Sequence, residues 1–480
     1  MEDFEGMGAF WLPEHSENVL SGHLSFNHED GVRLSLVGDF SDHPFDDAQH
    51  HPRIVGFIGN KRITLDNCDP GNSSRSAPGV RTQEYRIESL WLGHHFASDD
   101  ELSFDFAVVT FDDLPIWVGK SIIEVHHKYE ESRWASTNAK LELIPSQVEE
   151  CSNRRLTLGI SASSGGDLIT EFHMRSKPYL MIEHPNPTPH EDLLTEISRI
   201  QDLVTVCTDR PCGIRSLHFG REDTPERAIN GRAFKAPKQI EYRASQLNPA
   251  RKEGVSPLKQ HRMLLAFDEV GGLPMISRWL RTAPTFNPVL GSLMSSRYRS
   301  KMYVENRFLN MTAAAESLHR LTGSGTKLNP QEFARRSEKA INGMATPDEQ
   351  EWLKSILRYA NEPSLGSRLR NLFKDAKPAL NGLIKDHGKW SMAVAGMRNR
   401  LTHLDDMGGL QFDSSAIYWL SESVYDLTRV ALLKEAGLPL ERLRALGESA
   451  VYNRYADRLQ SAIESTRSAL ADYDALRSRS

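Results

Sequence analysis

The seven residues Met397-Arg398-Asn399-Arg400-Leu401-Thr402-His403 hold three side chains that can act on a phosphodiester. Arg398 is a permanent cation whose planar fork of donors matches a phosphate. His403 gives or takes a proton near neutrality, its ordinary pKa being about 6.5. Asn399 orients a neighbour by hydrogen bonding without adding charge. The set falls at the end of a helix predicted from Trp390 to His403 and stopped before Asp405 and Gly408-Gly409. At about 100° per residue, Asn399 and His403 lie about 40° apart on one face, whereas Arg398 and His403 differ by about 140°. A long arginine can reach round that gap where a helix end loosens. Arg400 and Leu401 point elsewhere, and Leu401 joins Val394 and Met397 in an apolar stripe that can pack the helix. His403 is the only histidine of the chain with an arginine five residues before it. The plainer reading is an arginine and a histidine solvating a helix end, where cations suit the dipole.

The rest of the chain must position that helix. At 480 residues it is too long for one ordinary core, and two or three domains are expected. Hydrophobic residues at 39% and charged residues at 25% are those of a soluble globular protein. No stretch approaches the roughly 20 apolar residues of a membrane helix. The acidic start Met1-Glu2-Asp3-Phe4-Glu5 lacks the basic and apolar regions of a signal peptide, so a cytoplasmic location is expected. The four cysteines, Cys68, Cys151, Cys207 and Cys212, are too few and scattered for a disulfide framework and read as buried or incidental thiols. A net charge of -6 argues against sequence-blind coating of nucleic acid. Local basic clusters remain, one at Arg297, Arg299 and Lys301, another at Arg335-Arg336, Arg368, Arg370 and Lys374. Each reads first as a solvated face.

The expected fold class is α+β, an N-terminal all-β, sandwich-like region over 1–285 followed by an all-α bundle over 286–480. Period-two alternation in Leu20 to Phe26 and Val32 to Val37, around the turn His28-Glu29-Asp30-Gly31, predicts a hairpin, and many short strands follow up to Gln239–Arg243. Cys68 to Arg81 is rich in Pro, Gly, Asn and Ser and reads as a mobile loop. Pro185-Asn186-Pro187-Thr188-Pro189 reads as a chain break before a helix over Glu191–Val204. From about Leu264 the period turns helical, with a short helix at Leu273–Arg281. Long candidates then run over Asn287–Leu321, Pro330–Asn342, Pro347–Tyr359, Leu365–Phe373, Lys385–His403, Ser414–Ala436 and Val451–Ala475. The pairs His50-His51, His94-His95 and His126-His127 offer at most one metal ligand per strand face, so no metal site is expected. Gly323-Ser324-Gly325-Thr326-Lys327 lacks phosphate-loop spacing and reads as an inter-helix turn. Trp11, Trp91, Trp117 and Trp134 read as core before a carbohydrate or nucleotide platform.

Arg398, Asn399 and His403 resemble the R-[polar]-x-x-x-H signature of HEPN domains, all-helical modules that are often metal-independent ribonucleases. The two halves together resemble the ApeA-type anti-phage defence proteins, which join an N-terminal β domain to a C-terminal HEPN domain. In the β half this rests on Phe10-Trp11-Leu12-Pro13, Val19-Leu20-Ser21-Gly22-His23-Leu24 and Val32-Arg33-Leu34-Ser35-Leu36. The resemblance implies an endoribonuclease of abortive-infection type, with RNA as substrate and a phage-derived trigger. It implies a homodimer or higher homo-oligomer in which two motifs face each other across a two-fold axis. No cofactor or membrane partner is implied. RNA carries its own nucleophile, the 2′-OH. His403 then suits base or acid, and Arg398 suits the charge growing on the phosphoryl oxygens. Asn399 would fix the histidine ring or touch the phosphate. Because some HEPN domains have no nuclease activity, a non-catalytic binding or regulatory protein is the alternative. A carbohydrate-binding sandwich with a helical appendage is a third reading.

Overall fold

In the N-terminal half the alternation of side chains decides the architecture. Val32, Leu34 and Leu36 are buried while Arg33, Ser35 and Val37 face out, as a strand with one wet face requires. The computed structural model describes residues 3–477 apart from 28, 42–47, 75–80, 168, 222–226, 230–231, 235–237, 248–257, 260–262, 300, 324, 403–411, 449–451 and 453–454. The turn residue His28 and Ser324 of the glycine-rich turn therefore lie outside the described residues, as does much of the polar stretches 222–238 and 247–259. The chain forms two compact units, Met1–Leu280 and Arg281–Ser480.

The first unit is mostly β. Its strands are β1 (Phe4–Leu12), β2 (His15–Asn27), β3 (Gly31–Val37), β4 (His51–Ile58), β5 (Lys61–Ser74), β6 (Thr82–Leu92), β7 (Ser103–Phe111), β8 (Ile123–Glu130) and β9 (Arg133–Leu141). They continue with β10 (Gln147–Cys151), β11 (Arg154–Gly166), β12 (Phe172–Pro189), β13 (Ile214–Arg221), β14 (Arg227–Ile229), β15 (Arg232–Phe234) and β16 (Lys238–Ala244). The main sheet runs β10-β11-β12-β7-β13-β16-β6-β3-β2-β1-β4-β5, and β5 also pairs with β6. That last pairing, from Ile63 opposite Leu92 to Ser74 opposite Thr82, closes the first six strands into a barrel. Phe10, Leu24, Phe26, Leu34, Leu65 and Tyr85 fill its interior. Gly56 leaves the room Phe10 needs, because a Cβ there would come within 2.5 Å of the ring.

β6 is shared. Its residues Thr82 to Ile87 pair with β3, and Ser89 to Leu92 pair on the same side with β16. The remaining strands extend the barrel wall into an open sheet. Trp91 sits at the junction with Phe104 and Tyr242 at ring distances of 5.5 and 4.5 Å, and its indole N–H donates to Asp66 at 2.5 Å. Asp66 also pairs with the buried Arg53 at 2.7 Å, which satisfies both charges. Three helices follow the β elements of this unit or interrupt them, α1 (Leu114–Val118), α2 (His190–Thr208) and α3 (Phe267–Val270), with α4 (Gly272–Thr282) at its end. The helix expected at Glu191–Val204 is α2, and it lays Leu193, Ile197, Ile200 and Leu203 against the sheet.

Three local expectations are corrected. Cys68 to Ser74 is not a loop but the far end of β5, with Pro70 placed where the register with β6 shifts. Pro185 to Pro189 does not break the chain, since it forms the end of β12 past another register shift between Glu183 and Thr188. Trp91 and Trp117 are core, but Trp134 is 67% exposed on β9, in a two-stranded β8–β9 ribbon whose side chains nearly all face solvent. Of the thiols, Cys68, Cys207 and Cys212 are buried, Cys151 is half-buried, and none of the four is in a disulfide.

The second unit is helical, as expected. It comprises α5 (Asn287–Tyr298), α6 (Val304–Thr322), α7 (Pro330–Asn342), α8 (Pro347–Leu357), α9 (Leu365–Leu380), α10 (His387–Thr402), α11 (Ser414–Glu435), α12 (Leu440–Glu448) and α13 (Ala456–Arg477). The helix expected over Asn287–Leu321 is two, because Arg299 is extended (φ -94°, ψ 112°) after Tyr298. α11 is the axis of the bundle and packs against α6, α9 and α13. It buries Leu420, Val424 and Leu427 together with the ion pair Asp426–Arg429. α7 and α8 pack on each other and carry no fully buried residue. Among the described residues no helix is long and apolar enough to cross a membrane.

Candidate functional site

α10 begins where the Asp386 carboxylate accepts the backbone N–H of Lys389 at 2.9 Å. Trp390, Ala393, Val394 and Met397 recur at helical spacing and are buried, and the Trp390 indole donates to Ser423 Oγ at 2.8 Å. This fixes the rotation of the helix. The opposite side then shows Ser391, Met392, Ala395, Arg398 and Asn399 to a cleft of about 500 Å³. α9 supplies Leu365, Gly366 and Arg370 to the same cleft, and Glu316, Tyr359, Glu362, Pro363 and Ser364 complete it.

Of the three residues singled out from the sequence, the structure brings Arg398 and Asn399 to this cleft. His403 follows Thr402, the last residue of α10, and lies outside the described residues, as do Asp405, Gly408 and Gly409. Arg398 is about one-third exposed (36%) and has Glu316 Oε2 at 4.0 Å, which leaves most of its five donors for a ligand. Asn399 is exposed. Arg400 turns away, to Asp474 at 3.0 Å and onto the ring of Tyr473 at 3.7 Å.

Behind the cleft the charges are densely paired. Glu316 Oε1 takes Arg320 at 3.2 Å and has Arg368 at 3.7 Å, while Glu362 Oε2 takes Arg320 and Arg368 at 3.0 Å each. Arg368, from the predicted basic cluster, is therefore a buried structural group. Arg335 and Arg336 of that cluster pair with Glu332 on the exposed α7, and Arg297 of the other pairs with Glu422. His319 is wedged in this network, 2% exposed, with Arg368 Nη1 3.4 Å from Nδ1 and Asn371 Nδ2 3.3 Å from Nε2. Burial first, and the Arg368 charge second, hold its pKa below the ordinary 6.5. It is a core histidine and is not among the residues that line the cleft. Among the described residues no three His, Cys, Asp or Glu side chains gather as a metal site would need.

A pH dependence follows. Burial also lowers the pKa of His51, His190 and His218 in the β unit. Below about pH 6.5 the unfolded chain binds protons that these folded histidines refuse, so stability is full above that pH and falls as pH drops beneath it. The melting temperature should fall between pH 7 and pH 5. It should fall less in a His319→Gln protein, which has one such group fewer. A midpoint level across that range would contradict the burial account.

Sequence reasoning missed Glu316, Tyr359 and Ser391, which come from three different helices or their ends and carry no spacing signal. Arg370 stood in a basic cluster that the fold divides among three environments.

The chain is thus a β-barrel unit followed by a helical unit with an arginine and an asparagine on an open inter-helix cleft. Residues 5–279 match the ApeA N-terminal domain 1 and residues 309–442 match the Apea-like HEPN domain. The chain belongs to the ApeA family, and it is an anti-phage defence HEPN protein. No curated protein and no solved structure matches it.

Proposed function

We propose that the helical unit is a metal-independent endoribonuclease of the HEPN class, acting in the cytoplasm in abortive-infection defence. The observation that carries this is the placement of Arg398 and Asn399 on one open cleft at the end of α10, directly before His403, within the region that matches the HEPN domain. Arg398 presents a fixed positive charge to the phosphoryl oxygens, where negative charge grows as the 2′-OH attacks. His403 takes the 2′-OH proton or returns one to the departing 5′-oxygen. Asn399 steers the ring or the phosphate. The products end in 2′,3′-cyclic phosphate and 5′-hydroxyl. Two proton transfers and one such histidine per chain favour a site completed by a second copy. The β unit, which matches a separate domain from the HEPN region, senses a phage-derived trigger or restrains the helical unit.

The test is incubation of the purified protein with total cellular RNA in EDTA, beside a His403→Ala protein. Cleavage that survives EDTA and drops about 10²-fold or more in the variant is expected. Cleavage abolished by EDTA, or equal in the two proteins, would overturn the reading. If neither protein touches RNA, the HEPN unit acts as a binding or regulatory module instead.

A further inference from the structure

Arg370 differs from the other arginines around the cleft. Arg320, Arg368 and Arg398 each have a glutamate within 4.0 Å, shared between Glu316 and Glu362. No carboxylate pairs with Arg370 among the described residues. Its guanidinium is held by hydroxyls instead, Nη1 donating to Ser391 Oγ and Nη2 to Ser367 Oγ at 3.1 Å each. Hydroxyls fix the geometry of a guanidinium without neutralising it. Four arginines around two glutamates leave this network two positive charges in excess, and Arg370 and Arg398 are the two of the four that line the space of about 500 Å³. A half-buried cation kept ready in this way costs stability unless an anion uses it. The cleft also exposes apolar side chains that the core does not need, with Tyr359 62% and Met392 54% exposed. An aromatic face beside a pair of cations suits an unstacked base next to its phosphate.

We propose that Arg370 is a second phosphate-binding residue of this site, seating the phosphate adjacent to the one at Arg398 on a single-stranded RNA whose base lies against Tyr359. This rests on the nuclease reading above and adds a residue to it. Ser391 and Ser367 are positioning residues that aim the fork.

The test uses the full-length protein and a labelled 2′-O-methyl oligoribonucleotide, which binds without offering the nucleophile. Its affinity is measured across a range of salt concentrations for wild type, Arg370→Ala, Arg370→Gln, Ser391→Ala and Arg398→Ala. Loss of one charge-assisted contact should weaken binding on the order of tenfold or more at low salt. It should also flatten the slope of log affinity against log salt by about 0.7, the share of one phosphate contact on a single strand. Arg370→Ala is expected to do both, and Ser391→Ala should weaken binding while keeping the slope, because the charge remains. Arg370→Gln retains a donor for Ser391 and removes the charge, so it decides the matter if the alanine protein does not fold. A wild-type slope in a folded Arg370→Gln protein would overturn the proposal. If Arg398→Ala flattens the slope and Arg370→Gln does not, this inference alone fails. If His403→Ala cleaves RNA like wild type, the nuclease reading fails with it.

Discussion

Arg398→Ala and His403→Ala proteins, each nearly inactive alone, should regain RNA cleavage when mixed and allowed to exchange subunits. Removing a positioned proton carrier lowers a rate by about 10² to 10⁴, and removing a preorganised stabiliser of developing charge by about 10² to 10³. In a homodimer with both motifs around one phosphate, a mixed dimer still has one intact Arg398 and one intact His403. About half the dimers in an equal mixture are mixed, so recovery should be visible against two nearly silent parents. Exchange demonstrated by a tag on each protein, with cleavage still at parental levels, would rule out a shared site in which one intact copy of each residue suffices. So would full-rate cutting by a protein that light scattering shows to be strictly monomeric. The β unit is present in both partners, so this result is independent of what it senses.

A second large effect is expected far from the cleft. Asp426 and Arg429 are 3% and 1% exposed on α11 and lie 2.5 Å apart. Tyr455 donates its hydroxyl to the same aspartate, and the Arg429 guanidinium lies near the rings of Tyr425 and Tyr452 at 5.0 and 5.6 Å. Asp426→Ala removes the carboxylate that pairs with a buried guanidinium at 2.5 Å, which destabilises by roughly 3–5 kcal/mol. For a unit of this size the melting temperature should fall by roughly 10 °C or more. The double variant Asp426→Leu with Arg429→Met removes both charges and keeps the volume, and much of the loss should be restored. Equal losses in the single and double variants would mean that α11 depends on packing here and not on charge pairing.

These two sites were legible in the sequence to very different degrees. The face of α10 was legible because a 3.6-residue period with Trp390, Val394 and Met397 leaves only one side for Arg398 and Asn399. The hairpin of β2 and β3 was legible from alternation and a turn. Barrel closure was not, because alternation gives the faces of a strand but not its neighbours, and the pairings β1 with β4 and β3 with β6 join strands that are not consecutive in the chain. Cys68 to Ser74 was hidden by its composition, since a register shift admits Pro70 where a regular ladder would not. Arg370 and Arg368 look alike in sequence, two residues apart on one helix. Only the fold buries one behind Glu316 and Glu362 and leaves the other half-buried on the open cleft.

The double pairing of β6 sets a timetable for synthesis. The barrel strands are contiguous in the chain, so the barrel can close once Leu92 has emerged. One side of Ser89 to Leu92 then has no partner, because β16 reaches it with Glu241, roughly 150 residues further along the chain. At about 5–20 residues per second that interval is on the order of ten seconds or more. Throughout it the nascent chain shows an open edge carrying Leu90, Trp91 and Leu92, an apolar template for pairing with a neighbouring chain. Expression yield should therefore respond to chaperones that shield nascent chains more than to the final stability of the fold.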